Sequence, residues 1–332
     1  VSVTSPARPR RWEAPGVVLV ALAAALWGTD GVFRFWLAVE LPATVVVFLE
    51  HVVLAAMTLP FLVRVGPALR GLNAGDWVSV ILVGAGASVL GTVLFTMAFS
   101  YGDPNTPLLL QKLQPVFAVL AAALILGERL TSHYWRYFVA GIAGAYLISF
   151  PDLTPNSINQ VAPALLALGA AVLWGLGTVL GRRLTEKVPF TQLTALRFGI
   201  GMPVAALAVA LRGEWPRLAE VTPAEIWGVA GLALVPGFFA IMLYYRGLGE
   251  TFASTATLAE LAFPVSALIL NWLVLGRALV AGQVVGAVVL VATITAMGLA
   301  QASSPTTLGV RARRAVAVGG EAFGAREALQ DV

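Results

Sequence analysis

The sequence predicts an all-α membrane protein of ten transmembrane helices, built as two inverted five-helix repeats. Three observations predict it. Of 332 residues, 59% are hydrophobic and only 11% are charged, against roughly 45–50% apolar and about 25% charged in an ordinary soluble domain. So few charges cannot cover a soluble fold of this size, which excludes a soluble enzyme, a nucleic-acid-binding domain and a disordered chain. Apolar stretches of the length needed to cross hydrocarbon, roughly 20 residues, recur along the chain. Short signatures of the first half return in the second at a nearly constant offset.

The spans fall at 15–37, 43–63, 77–99, 105–126, 133–150, 161–181, 190–211, 223–245, 252–275 and 279–300. Charge, proline or polar clusters bound each of them. The first follows Arg8, Arg10 and Arg11, as the core of a signal peptide would, but it is too long for one. Connections are short and leave no room for a soluble domain. Four segments result: a cytoplasmic N-terminal segment (1–14), a first repeat (15–150), a second repeat (151–300) and a polar tail (301–332). The tail is expected to be disordered and cytoplasmic, with contact to the lipid surface as the alternative for Arg311, Arg313 and Arg314.

Basic residues give the orientation. With the N-terminus inside, the inner segments hold 15 Lys and Arg and the outer loops only Arg212, Arg217 and Arg277. Retention of Lys and Arg in cytoplasmic loops then places both termini in the cytoplasm and accounts for the net charge of +4. With no cysteine and two histidines, a thiolate zinc site, a disulfide and a cysteine nucleophile are excluded; no cofactor or metal is expected.

The repeat is visible in particular residues. Leu26-Trp27-Gly28 returns as Leu173-Trp174-Gly175, and Thr106 and Pro115 return as Thr255 and Pro264. Five helices per half turn the second half upside down relative to the first, the arrangement of secondary transporters that work by alternating access. Pro115 and Pro264 each remove a backbone donor within a span and are expected to bend two matched helices around a central cavity.

The segment Gln114-Pro115 through Leu126-Gly127-Glu128-Arg129-Leu130, with the ten spans and paired repeats, resembles the drug/metabolite transporter superfamily of the ten-helix EamA type over about residues 15–300. The second half departs from the pattern: Gly276-Arg277-Ala278 lacks the glutamate. The resemblance implies a substrate cavity between the halves and peripheral helices five and ten, through which a homodimer would form. It does not name the substrate.

A charge near the bilayer centre costs at least about 2.5–3.5 kcal/mol, so each needs a reason. Six stand out: Asp30, Arg34, Glu50, Lys112, Arg197 and Glu260. Glu50 and Lys112 lie at one depth from the outer side, roughly 10 Å by the helical rise, and Arg197 and Glu260 at a similar depth from the inner side. Two ionic latches are expected, Glu50 with Lys112 outside and Arg197 with Glu260 inside. Pairing with other neighbours, or direct substrate binding by Lys112 or Glu260, are the alternatives. Asp30 and Arg34, four apart, share a helix face and pair locally near the outer surface. Asp30, Glu50, His51 and Glu260 are the proton-coupling candidates.

Trp27 and Trp174 are repeat-matched and expected to line the cavity with Gln111, Gln114 and Tyr245; Tyr101, Tyr244 and Tyr245 also sit near span ends, where an interfacial belt is the default. Gly84-Ala85-Gly86 lies inside a span with no strand before it, so helix packing explains it better than nucleotide binding. The resulting expectation is a secondary transporter of the cytoplasmic membrane, moving a small metabolite, an amino acid or relative, with export favoured and proton coupling as the driver. Uptake or exchange of a sugar, nucleobase or cofactor, an intramembrane enzyme, and a non-transporting scaffold are the alternatives. The partners expected are the solute and the bilayer, not nucleic acid.

Overall fold

The computed structural model describes residues 13–127, 134–150, 158–184, 187–249, 259 and 262–302. All secondary structure among them is helical. The first span is two helices, α1 (Glu13–Trp27) and α2 (Asp30–Glu40), then come α3 (Ala43–Leu62) and the single turn α4 (Gly66–Leu69). Next are α5 (Ala74–Ile81), a π-helical stretch Leu82–Leu90 and α6 (Gly91–Phe99), then α7 (Asn105–Leu110), a 3₁₀ turn Gln111–Leu113 and α8 (Gln114–Leu126). Helices α9 (Tyr134–Ser149), α10 (Ile158–Leu184) and α11 (Phe190–Leu211) are continuous. Helix α12 (Pro223–Leu232), a second π-helical stretch Ala233–Phe239 and α13 (Ala240–Gly249) precede α14 (Ala262–Leu275) and α15 (Ala281–Ala302).

Seven stretches among the described residues are long and apolar enough to cross a membrane: Val18–Glu40, Ala43–Leu62, Ala74–Phe99, Asn105–Ile125, Val161–Gly181, Thr191–Leu211 and Pro223–Tyr244. They coincide with seven of the expected spans. Ala262–Leu275 and Ala281–Ala296 are shorter apolar helices. Apolar side chains such as Leu124, Val139, Leu211, Trp227 and Val288 are exposed, as a lipid-facing surface requires.

Where the helices break, local chemistry explains it. At Gly28-Thr29 the Thr29 hydroxyl donates to the Leu26 carbonyl (2.7 Å) and the chain turns before resuming at Asp30. Pro115 opens α8 immediately after the 3₁₀ turn, as a residue without an N–H should. Gly127 (φ 66°) and Gly276 (φ 63°) end α8 and α14 in the left-handed conformation that favours glycine. Two capping boxes start α5 and α12: Asn73 with Asp76, and Thr222 with Glu225. Each residue of the first box lies 149 before its counterpart in the second, and a π-helical stretch follows in both cases.

Contacts between turns define two ends of the bundle. At one end Gln192 bonds the Arg64 carbonyl and Lys187 pairs with Asp76. At the other, Ser100 bonds the Ala38 carbonyl, Thr44 bonds Glu214, and Asn271 bonds Asn105 (2.9 Å).

Two glycine crossings hold the centre. A Cβ on Gly28 would lie 2.1 Å from Ser266 Oγ and 2.8 Å from the Ala267 nitrogen; one on Gly175 would lie 2.9 Å from the Ala118 nitrogen and 3.0 Å from the Gln114 carbonyl. Gly144 and Gly286 meet in the same way, each against the other's carbonyl oxygen (3.0 and 2.7 Å). Such close approach of backbones is how helices associate without a hydrophobic driving force. Gly28→Ala and Gly175→Ala are each expected to destabilise by about 1–3 kcal/mol, the cost of overpacking. Gly181→Ala, where a Cβ meets nothing within 4 Å, is expected to cost nothing. Thermal unfolding of the purified protein in detergent checks this.

Candidate functional site

The most connected charged group is Arg34, 3% exposed. Its Nε and Nη2 donate to the two oxygens of Asp30, both at 2.7 Å. Its Nη1 and Nη2 donate to the two oxygens of Glu50 at 3.2 and 3.3 Å, and Nη1 donates again to Thr96 Oγ1 at 2.9 Å. A guanidinium has five N–H donors, and five hydrogen bonds are present. The Thr96 hydroxyl in turn donates to the Thr92 carbonyl (2.8 Å), and the Phe95 ring lies 5.7 Å from the guanidinium carbon. Helices α2, α3 and α6 thus converge on one cation.

This arrangement corrects one expectation. Glu50 is neutralised by Arg34 of the first span, not by Lys112: Arg34 is four residues from Asp30, and its fork is wide enough to hold a second carboxylate. The expected Asp30–Arg34 pair is present, with Arg34 buried and Asp30 partly buried. Lys112 instead places Nζ 3.9 Å from the centre of the Phe263 ring, a cation–π contact. Glu260, expected to pair with Arg197, lies outside the described residues.

Arg197 belongs to a second polar chain. Its Nε donates to Ser88 Oγ (3.1 Å), which lies 3.0 Å from His51 Nε2; His51 Nδ1 bonds the Val47 carbonyl (2.8 Å). A carbonyl only accepts, so Nδ1 carries the proton and Nε2 accepts from Ser88. His51 is 2% exposed and packs edge-on against Phe198. Both its nitrogens are satisfied, so it reads as a core histidine joining α3 to α11 through the first π-helical stretch.

The aromatic residues form two matched pairs. Trp27 packs on Tyr244 and Trp174 on Phe95, each with ring centroids 5.0 Å apart. Tyr244 therefore faces inward and does not join an interfacial belt. Both tryptophans are half-buried against one hydrophobic cluster that includes Phe95, Phe263 and Ala267. Gln114, on the turn after Lys112, donates to Thr178 Oγ1 (3.1 Å), one turn beyond Trp174. Gln111 is half-buried in the 3₁₀ turn beside Lys112. The Tyr245 side chain lies outside the described residues. Trp27, Trp174, Phe263, Lys112 and Gln114 are thereby brought to one region, where the breaks in the first span and at Pro115 interrupt two helices.

Thr96, Ser88, Phe95 and Tyr244 were missed as participants from sequence. Phe95 and Tyr244 stand 149 apart, the offset already seen at Pro115 and Pro264, so the repeat itself could have found them. Thr96 and Ser88 carry no such signal. No group of three or more potential metal ligands occurs among the described residues.

Truncating Arg34 leaves two carboxylates unpaired in a buried site. Arg34→Met is expected to destabilise by about 3–5 kcal/mol. The triple variant Asp30→Asn/Arg34→Met/Glu50→Gln is expected to recover much of that loss. Detergent thermostability and folded yield read both outcomes.

Comparison with known proteins adds the family. The model of the EamA-like transporter family matches residues 14–150 and again residues 162–299. The riboflavin transporter ImpX of Fusobacterium nucleatum is 30% identical over 288 residues, covering 84% of this chain and 96% of that protein. A riboflavin transporter of Brucella anthropi is 25% identical over 242 residues, 72% of this chain and 81% of its own. A solved crystal structure aligns with a TM-score of 0.59 at 20% identity, covering 88% of this chain and 99% of that one; at that identity the likeness speaks for the fold alone. With its long apolar helices and a family model that matches both halves, this chain is an integral membrane protein that belongs to the EamA-like transporter family, within the drug/metabolite transporter superfamily.

Proposed function

We propose that this transporter carries a planar heteroaromatic solute of the riboflavin kind by alternating access between two inverted five-helix halves. The observation that carries the substrate class is the matched pair of tryptophans, Trp27 and Trp174, half-buried against one aromatic cluster. Flat aromatic rings bind flat solutes by offset or edge contacts worth about 0.5–1.5 kcal/mol each beyond burial. Lys112, Gln111 and Gln114 lie on the adjoining broken helix and offer donors to the carbonyl edge and hydroxyls of a flavin. The names of the Fusobacterium and Brucella relatives support the same class. This reading is preferred to the amino acid expected from sequence, because an amino acid would use little of so much aromatic surface.

The inverted repeat draws support from local geometry. The capping boxes, the π-helical stretches, the left-handed glycines and the aromatic pairs recur at nearly the same offset, and Gly28 meets Ala267 as Gly175 meets Ala118. The bias in basic residues supports cytoplasmic termini. The apolar stretches of the sequence support ten spans, seven of which match long apolar helices among the described residues. For coupling, the Arg34 cluster holds two carboxylates on one guanidinium, so Asp30 and Glu50 are the groups where one added proton restores neutrality.

Transport of labelled riboflavin into proteoliposomes is the direct test. Saturable transport is expected, lowered at least about tenfold by Trp27→Ala/Trp174→Ala, equivalent to roughly 1.4 kcal/mol of lost solute contact. Competition by other planar heteroaromatic compounds but not by amino acids is expected. Amino-acid transport with no riboflavin transport would overturn the substrate assignment.

A further inference from the structure

We infer that Asp76, Lys187 and Arg183 form a latch that closes one end of the bundle, and that Glu40 prevents its counterpart at the other end, so the resting carrier stands open at the Glu40 end. This rests on the inverted-repeat reading above and adds to it which face is open at rest.

Asp76 sits at the start of α5 with its side chain 1% exposed. Its Oδ2 accepts from Lys187 Nζ at 2.5 Å and from the Asn73 backbone at 3.0 Å. Its Oδ1 has no hydrogen-bond partner, with Arg183 Nη2 at 4.0 Å. Lys187 precedes α11 and Arg183 is at the end of α10, so the contact ties the third expected span to the sixth and seventh. Both cations are well exposed (39% and 42%). The carboxylate is sequestered while its partners reach in from water, as a contact that opens and closes needs.

The repeat supplies an internal control. Asp76 corresponds to Glu225, and the turn Val188-Pro189 corresponds to Leu41-Pro42, each proline preceding its helix with nearly the same backbone angles. By that correspondence Lys187 becomes Glu40 and Arg183 becomes Trp36. Glu225 spends one oxygen on the Thr222 N–H and hydroxyl (2.6 and 2.8 Å) and has no ion pair among the described residues. Glu40 is exposed. At one end the acid meets a base; at the other the counterpart of Lys187 is the acid Glu40, and the nearby cations Arg212 and Arg217 are paired within their own loop, with Glu214 and Glu220. A cavity of about 410 Å³ lies at the end where the Asp76–Lys187 contact has no counterpart, lined in part by Ala38, Glu40, Ser100, Arg212, Glu214 and Arg217. Ala38 is one helical turn from Arg34, so the cavity reaches towards the buried cluster. With the cytoplasmic termini proposed above, this open end faces outward, a resting state suited to uptake.

The chain has no cysteine, so one introduced thiol reports accessibility. Ser100→Cys is exposed in that cavity. In membranes, its labelling rate by an impermeant maleimide applied from the Glu40 side measures how often this end is open. Lys187→Ala leaves the Asn73–Asp76 cap intact and is expected to slow labelling roughly two- to fivefold, the range for a partly exposed ion pair. Glu40→Lys, which sets a cation opposite Glu225, is expected to slow it similarly by building the missing latch. The exchange Asp76→Lys/Lys187→Asp is expected to restore the native rate. Unchanged or faster labelling in both single variants, with riboflavin transport intact, would overturn the latch alone. Slower labelling in a protein that carries no riboflavin would overturn the substrate assignment and leave the latch standing.

Discussion

One guanidinium in a medium that offers no water organises the first half of this protein. Each unsatisfied donor in hydrocarbon costs several kcal/mol, so burying Arg34 requires partners for five N–H groups. Asp30, Glu50 and Thr96 supply them from three helices. The geometry is exacting because an Arg fork is planar, so α2, α3 and α6 are held in a fixed register. That register sets where the first span breaks, since Asp30 must begin α2 one turn before Arg34. It also sets where Trp27, immediately before the break, can meet Tyr244.

The structure is most regular where it folds and least regular where it works. Caps, glycine crossings, left-handed glycines and the two tryptophan pairs recur between halves. The charges do not. Glu50 corresponds to Arg197 under the repeat; one joins the Arg34 cluster and the other donates to Ser88 on the way to His51. Phe95 corresponds to Tyr244, which adds a hydroxyl on one side only. Lys187 corresponds to Glu40: one end of the bundle has the Asp76–Lys187 pair between helices, and the other has a cavity whose cations pair within one loop. A carrier with identical halves would have no preferred resting face. By the resting-state proposal these substitutions supply one, while the packing of the shared framework is kept.

The class of fold was legible in composition and in the recurrence of apolar stretches, and seven expected spans have matching helices within a few residues. The break at Gly28-Thr29 was passed over although Gly28-Thr29-Asp30-Gly31 interrupts the apolar run, because the stretch as a whole is still apolar enough for one span. Depth estimates put Glu50 and Lys112 at one level and so suggested a pair. Depth says nothing of azimuth, however, and Arg34 on a neighbouring helix reached Glu50. His51 looked like a titrating group; its partners are a carbonyl on its own helix and a serine on another, and only the second needs tertiary structure to see. Asp76 was readable as a helix cap. Its partner Lys187 lies 111 residues away, and no local pattern joins them.

The proposed substrate class rests on the Trp27 and Trp174 pair and on the names of two relatives, and equilibrium binding tests it most directly. Stacking of a flavin against indole quenches flavin fluorescence, so titrating purified transporter into dilute riboflavin reads the contact itself, independent of direction or coupling. Saturable quenching at one site per chain, abolished in the protein lacking both Trp27 and Trp174 and retained when Gly181 is changed to Ala, is the expected result. Absence of saturable quenching in a folded native protein that does transport another, non-aromatic solute would contradict the assignment.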